Sequence, residues 1–404
     1  MYTAQEVMDY VQAEDVKFLR LAFCDVYGEQ KNISIMPEEL PRAFGDGISF
    51  DASAIAGFGG EEKSDLLLIP DPATLSVLPW RPAQGRVVRL FCDILRPDGS
   101  AFELDCRRIL KQAVTVAKSL GFTCSFGAEF EFYLFRTDEM GEPTNIPYDH
   151  AGYMDIAPLD RGENVRREIC LTLSEMGIHP ESSHHEEGPG QHEIDFRYGE
   201  PLSAADNAVT FRSVVRTLAA RNGLYASFDP KPLLEHSGNG MHINISLHGH
   251  DEDERIRYAF MAGILAHICE MTVFFNRVPS SYTRLGQKKA PRYVTWSPEN
   301  RSQLIRIPAA KGAYRRIELR SPDALANSYL AYALLIHAGL DGIRRELTPP
   351  APTNLDLFHA DPAIVQQLTK LPETLEEARQ TAAQSQWLAG FLPSALMRAY
   401  GIGC

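Results

Sequence analysis

A chain of 404 residues has room for more than one domain and a large buried core. Its 44% hydrophobic and 23% charged content is ordinary for a soluble globular protein. The net charge of −13 argues against nucleic acid or an anionic membrane as the main partner, while leaving room for a local basic pocket.

The seven cysteines are odd in number and scattered, with no Cys-x-x-Cys pair, which fits reduced thiols in the cytoplasm. The start, Met1 to Glu6, has neither a basic end nor an apolar run, so no secretion signal is expected. No uninterrupted apolar stretch reads as long enough to span a membrane.

Residues 1–100 read as a small β-rich domain. Val16 to Phe23 and Lys31 to Ile35 alternate as strands around a turn at Asp25 to Gly28, a hairpin pattern. Leu66 to Ile69 and Val87 to Ile94 are further strands, and Pro97-Asp98-Gly99 signals a turn before a boundary near residue 100. From 101 to 404, helices appear between strands. Asp105 caps a stripe from Ile109 to Leu120 that stops at Gly121. Val165 to Met176 stops at Gly177, and Ala208 to Leu218 stops near Gly223. Ala259 to Phe275, Asn327 to Leu340 and Thr374 to Leu388 complete the helical set.

The stretch Gly127-Ala128-Glu129-Phe130-Glu131-Phe132 alternates cleanly. In a strand, Glu129 and Glu131 share one face, roughly 6.6 Å apart. At an effective dielectric of about 20 their repulsion costs on the order of 2.5 kcal/mol. A buried face keeps such a pair only with compensating cations, so a divalent metal site is one reading. A half-exposed strand with both glutamates in water shows the same alternation. Met241 to Leu247, Glu193 to Arg197 and Arg316 to Arg320 share the pattern, with His, Glu and Arg on the polar face. Together they predict a curved sheet with an apolar back against helices and a charged front.

The candidate metal ligands are Glu129, Glu131, Glu186, Glu193, His242 and Glu318. Five carboxylates and one imidazole suit Mg²⁺ or Mn²⁺ better than zinc. Glu186 and Glu193 bracket the turn Gly188-Pro189-Gly190 and so can face one centre. Arg284, Arg301, Arg306, Arg316 and Arg320 form a second constellation, suited to a substrate with phosphate and carboxylate groups. Neither a Walker loop nor a Gly-x-Gly-x-x-Gly turn is present. Metals and arginines must therefore hold the phosphates of any nucleotide that binds.

These blocks resemble the glutamine synthetase family, closest to the bacterial type I enzymes and related γ-glutamyl amide ligases. The resemblance rests on Gly127 to Phe132, His185 to Glu193, Gly238-Asn239-Gly240-Met241-His242, Asn300-Arg301-Ser302 with Ile305 to Pro308, and Arg315 to Arg320. It implies an α+β fold: a small β-grasp-like N-terminal domain, then a catalytic domain with a curved antiparallel sheet backed by helices. It implies a homo-oligomer of two stacked hexameric rings with active sites between subunits. The activity implied is ATP-dependent: the γ-carboxylate of glutamate becomes an acyl phosphate, and ammonia, the default acceptor, displaces the phosphate. In that scheme Glu131, Glu186 and Glu193 hold one metal, and Glu129, His242 and Glu318 the other. Arg284, Arg320 and Gly238 bind glutamate, and Arg301 and Arg306 stabilise the transferring phosphoryl group. Glu181, Ser246 and Arg316 contact ATP, and a neighbouring subunit's Asp51 binds ammonium.

The family's flap, Arg-Leu-Val-Pro-Gly-[Tyr/Phe]-Glu-Ala-Pro, is one residue shorter here, Arg284-Leu285-Gly286-Gln287-Lys288-Lys289-Ala290-Pro291. Lys289 stands in place of its glutamate, and a lysine ammonium there repels NH₄⁺. Two alternatives to ammonia as acceptor stay open at this stage: another amine, such as a polyamine, or a catalytically silent ATP-binding relative. The chain also reads Asn354-Leu355-Asp356 where the family's adenylylation motif carries a tyrosine.

Overall fold

The alternating stretches of the first hundred residues assemble into one sheet. The computed structural model describes residues 2–60, 62, 64–81, 84–249, 253–287, 289–309 and 315–403. Its first strands are β1 (Val16–Cys24), β2 (Gln30–Ile35), β3 (Ile48–Asp51), β4 (Asp65–Pro70), β5 (Ser76–Val77) and β6 (Arg86–Leu95), in the order β2-β1-β6-β4-β3 with β5 on β6. The β1–β2 hairpin turns where Asp25 Oδ1 accepts from the backbone of Tyr27 (3.0 Å) and Glu29 (2.9 Å). Gly28 takes φ +79° there, a conformation glycine adopts freely. β1 and β6 run parallel. A helix, Ala4–Ala13, precedes them. Sequence reading passed over it, although Thr3 and Glu6 close a reciprocal capping box.

The second sheet is built from β7 (Thr123–Thr137), β8 (Pro143–Pro147), β9 (Pro180–His185), β10 (Gln191–Phe196), β11 (Leu224–Ser227), β12 (Met241–His248), β13 (Trp296–Ser297), β14 (Ile305–Arg306) and β15 (Ile317–Leu319). Its order is β13-β14-β15-β12-β7-β10-β9, with β8 and β11 also on β7. The expected antiparallel pairing holds throughout except between β13 and β14, which are parallel, so the sheet is mixed at one edge. Ala128, Phe130 and Phe132 point to the back and are buried. Phe130 stacks on Phe211 of the helix Pro201–Arg221 at 5.0 Å between ring centres. Each such buried ring contributes about 1.5–3 kcal/mol.

The helices Cys106–Ser119, Glu163–Glu175 and Pro201–Arg221 follow the predicted stripes, and Gly121, Gly177 and Gly223 end them in left-handed conformation. Helix Glu254–Phe275 is apolar along most of its length, though His267 and Glu270 keep it from being an uninterrupted apolar stretch. Among the described residues it is long and apolar enough to cross a membrane by length and composition, yet 78% of that window is buried inside the protein. It lies against helix Ser328–Arg344, where Gly263 and Gly342 let the backbones meet: a Cβ on either would come within 2.1 Å of a facing carbonyl. The helix expected over Thr374 to Leu388 is broken. Ser385 Oγ accepts from Leu388 N (2.9 Å) and starts a new turn after Ala383.

Candidate active site

Strand register explains why the acidic residues meet. His242 on β12 faces Glu129 on β7, which faces Asp195 on β10; Glu131 faces Glu193 one step along. On the other side, Glu318 of β15 lies between Asn244 of β12 and Arg306 of β14. The period of two therefore places these carboxylates, His242, Asn244 and Arg306 on the front, while His192 of β10 falls on the back opposite Phe132. Four overlapping sets result among the described residues, each with ligand atoms within 4.8 Å of one another: Glu129, His242 and Glu318; Glu131, Glu193 and His242; His184, Glu186 and Glu193; Glu129, Glu193 and Asp195. All six predicted ligands fall in these sets.

Crowding of like charge shows in the acidities. Burial, with Glu131, Asp195 and Glu129 nearby, pushes Glu193 up to about 9 against the opposing hydrogen bond from His184. Burial and Glu131 likewise raise Glu186. Burial alone would raise Glu129, but hydrogen bonds from His242 (3.2 Å) and Asn244 (2.8 Å) hold it down at about 2. An oxygen-rich donor set with two imidazoles, His184 and His242, strained by its own negative charge, fits a hard divalent cation.

The arginines surround that centre. Glu318, fully buried, accepts from Arg306 Nε (2.7 Å) and pairs with Arg320 through its other oxygen. Arg284 is buried beside the Gly238-Asn239-Gly240 turn and donates to the carbonyl oxygens of Ser321 (2.9 Å) and Arg320 (3.3 Å). Gly238 has no room for a side chain: a Cβ would lie 2.3 Å from the Pro230 carbonyl. Glu131 accepts from the backbone of Gly240 (2.6 Å), tying this turn to the carboxylates. Glu181, Ser246 and Arg316 line one cleft of about 140 Å³ together with Glu129 and Asn244. Arg301 is exposed on the loop before β14. Asp51 is the candidate not brought in: it is exposed on β3, an edge strand of the N-terminal sheet.

Lys289 holds φ +70° in the turn closed by Gly286 N and the Ala290 carbonyl (3.1 Å). Its ammonium pairs with Glu187 at 2.8 Å and lies 4.7 Å from the centre of the Tyr153 ring. Ser237 Oγ donates to the other Glu187 oxygen at 3.2 Å. Lys289, Glu187 and Ser237 line a second cavity of about 570 Å³ with His236 and His359. Lys288 lies outside the described residues.

Sequence reasoning missed Asp195 as a sixth carboxylate of the site, though its place two residues after Glu193 was the available signal. It also missed a buried cluster behind the sheet, Asp149, Asp160, His185 and His192 with Arg166. Nothing in the spacing of those residues joins them.

A β-grasp-like sheet leading into a mixed sheet with a carboxylate–arginine cup defines an enzyme that handles phosphate through divalent metal. The sequence matches two family profiles, "Glutamine synthetase, beta-Grasp domain" over residues 15–97 and "Glutamine synthetase, catalytic domain" over 103–401. It is 45% identical over 395 residues to the glutamine synthetase of Clostridium saccharobutylicum, covering 93% of this chain and 88% of that protein. It is also 45% identical to that of Methanosarcina mazei, covering 93% and 87%. Among solved structures, "GmaS/ADP complex-Conformation 1" superposes with a TM-score of 0.88 at 29% identity over 97% of this chain and 93% of the other. The glutamine synthetase of Plasmodium falciparum shares the fold, with a TM-score of 0.87 at 22% identity, over 99% and 95%. The chain belongs to the glutamine synthetase family, and so is an ATP-dependent ligase that amidates glutamate with the help of divalent metal.

Proposed function

We propose that this protein joins ammonia to the γ-carboxylate of glutamate through an acyl phosphate, making glutamine in the cytoplasm. The convergence of Glu129, Glu131, Glu193, His242 and Glu318 on one sheet face carries the reading. Two Mg²⁺ or Mn²⁺ ions are assigned, one to Glu131, Glu186 and Glu193, the other to Glu129, His242 and Glu318. When bound, they supply charge neutralisation and in-line alignment for phosphoryl transfer. Arg301 and Arg306 add positive charge at the transferring group. Arg284, Arg320 and the Gly238 backbone orient glutamate, while Glu181, Ser246 and Arg316 hold the nucleotide in the smaller cleft. Asp51 of a neighbouring copy completes the ammonium site, which requires the ring assembly. A division of the chain near residue 100 belongs to this reading, supported by family profiles that end at 97 and begin at 103.

Lys289 bears on the acceptor. Burial lowers and the Glu187 hydrogen bond raises its basicity, with a net rise, so it stays a cation beside the proposed amine path. The test is phosphate release with Mn²⁺ or Mg²⁺, glutamate and a panel of amines. Fastest turnover with ammonium is expected; turnover with a larger amine alone, or ATP hydrolysis indifferent to glutamate, overturns the reading. In Lys289→Ala, KM for ammonium is expected to fall several-fold. Stability should change by less than about 1 kcal/mol, because the pair is half-exposed.

A further inference from the structure

The segment carrying Glu186 and Glu187 leaves β9 at His185 and returns into β10 at Gln191. Both of its ends are fastened to one buried side chain on a different part of the chain. Asp149 Oδ1 accepts from His185 Nε2 (2.9 Å) and from the backbone of Gly190 (3.0 Å). His185 Nδ1 donates to the carbonyl of Glu186 itself (2.7 Å), since a carbonyl oxygen only accepts. His185 thus donates from both nitrogens and runs as a strut from Asp149 to the backbone of a metal-site carboxylate. The second Asp149 oxygen accepts from Arg161 N (3.0 Å), and Ala151 N reaches Oδ1 at 3.3 Å. Asp149 is therefore fixed by its own loop, and both it and His185 are buried.

The far side of the return strand is held separately. Arg166 donates to His192 Nδ1 (2.9 Å) and to Asp160 (2.7 Å), directly behind Glu193. The guanidinium already bonds Asp160 and His192 of this cluster, which makes it a scaffold and not a cation site of its own.

We propose that Asp149 is a positioning residue that sets the place of Glu186 by clamping His185 and Gly190, and so tunes one of the two metal sites. This rests on the reading that Glu131, Glu186 and Glu193 hold a divalent ion. The clamp does not touch Glu129, His242 or Glu318, so its effect is confined to one site. Partners of this kind typically govern affinity by about 10–100-fold.

The test is Mn²⁺ titration of the metal-stripped full chain, followed by the magnetic resonance signal of free Mn²⁺. Asp149→Asn keeps one acceptor oxygen for His185 and Gly190 but gives up the charge facing His185 and replaces the oxygen that accepts from Arg161 N by an amide donor. One class of Mn²⁺ sites is expected to weaken about tenfold or more while the other stays at the wild-type value. KM for Mn²⁺ activation should rise, with kcat at saturating Mn²⁺ within a few-fold of wild type. Unchanged affinity at both classes overturns the proposal, and so does a parallel loss at both, which marks a general loss of structure. If Asp149→Asn does not fold, His185→Gln is measured in the same way, with the same outcomes. Failure of both variants to fold also overturns it, by making the clamp a folding element. A wild-type chain that binds no Mn²⁺ instead refutes the metal reading on which the proposal stands.

Discussion

Glu318 shows how one side chain can serve both the folded chain and its chemistry. It is fully buried between the guanidinium groups of Arg306 and Arg320, neither of which can discharge by losing a proton. Removing its carboxylate leaves two cations facing each other without their anion. Glu318→Ala is therefore expected to cost about 3–5 kcal/mol in urea unfolding of the metal-free protein. A loss below about 1 kcal/mol would contradict that account. The positions of Glu129, Glu131, His242 and Glu318 were legible in the sequence because strand alternation assigns faces without any knowledge of partners. The Lys289–Glu187 pair was not legible. Lys289 sits in a left-handed turn, where no periodicity says which way a side chain points. Asp149 and His185 escaped for a related reason: their meeting depends on how the loop carrying Asp149 packs against the end of β9.

Elements were read best where glycine stops and hydrophobic stripes agreed, as in the helices ending before Gly121, Gly177 and Gly223. The break at Ser385 was hidden inside a stripe that continues across it. The contact of helix Glu254–Phe275 with its neighbours carries a titratable group. His267 pairs with Glu270 of its own helix and with Asp341 of helix Ser328–Arg344 (2.9 Å) and stacks on Trp387 at 3.9 Å. Burial lowers its basicity, but the two carboxylates outweigh this and raise it above the ordinary histidine value. A raised folded value means the stabilisation is complete below the unfolded value of about 6.5 and fades as pH climbs through the folded one. Thermal unfolding measured from pH 6 upward should show this decline, and Asp341→Asn should flatten it. A variant whose melting follows the wild-type pH curve would remove His267 as its source.

On the scale of the whole molecule, the two sheets are joined by charge as well as by apolar packing. Arg107 is buried and binds Asp206 through two donors (3.0 and 2.9 Å), Asp71 (2.9 Å) and Asp93 (3.1 Å). Asp71 and Asp93 belong to the N-terminal sheet region, Asp206 to the helix behind the catalytic sheet. Arg107→Met is expected to cost about 3–5 kcal/mol, because it strands buried carboxylates. Hydrogen exchange should then rise first in β4 and β6, with β12 little affected. Uniform acceleration across both sheets would mean that the junction is not where the molecule comes apart. Such a knot has no signature in sequence, since its members are 135 positions apart from Asp71 to Asp206 (206 − 71).

Helix Glu254–Phe275 has a consequence for how the chain is born. On a ribosome it emerges more than fifty residues before helix Ser328–Arg344, the surface that hides its grease. Until that second helix arrives, a nascent chain displays a segment that resembles cargo for a membrane insertion channel. Translation that halts between the two would release a sticky fragment, so quality control of this protein falls on the stretch of synthesis between residues 276 and 344.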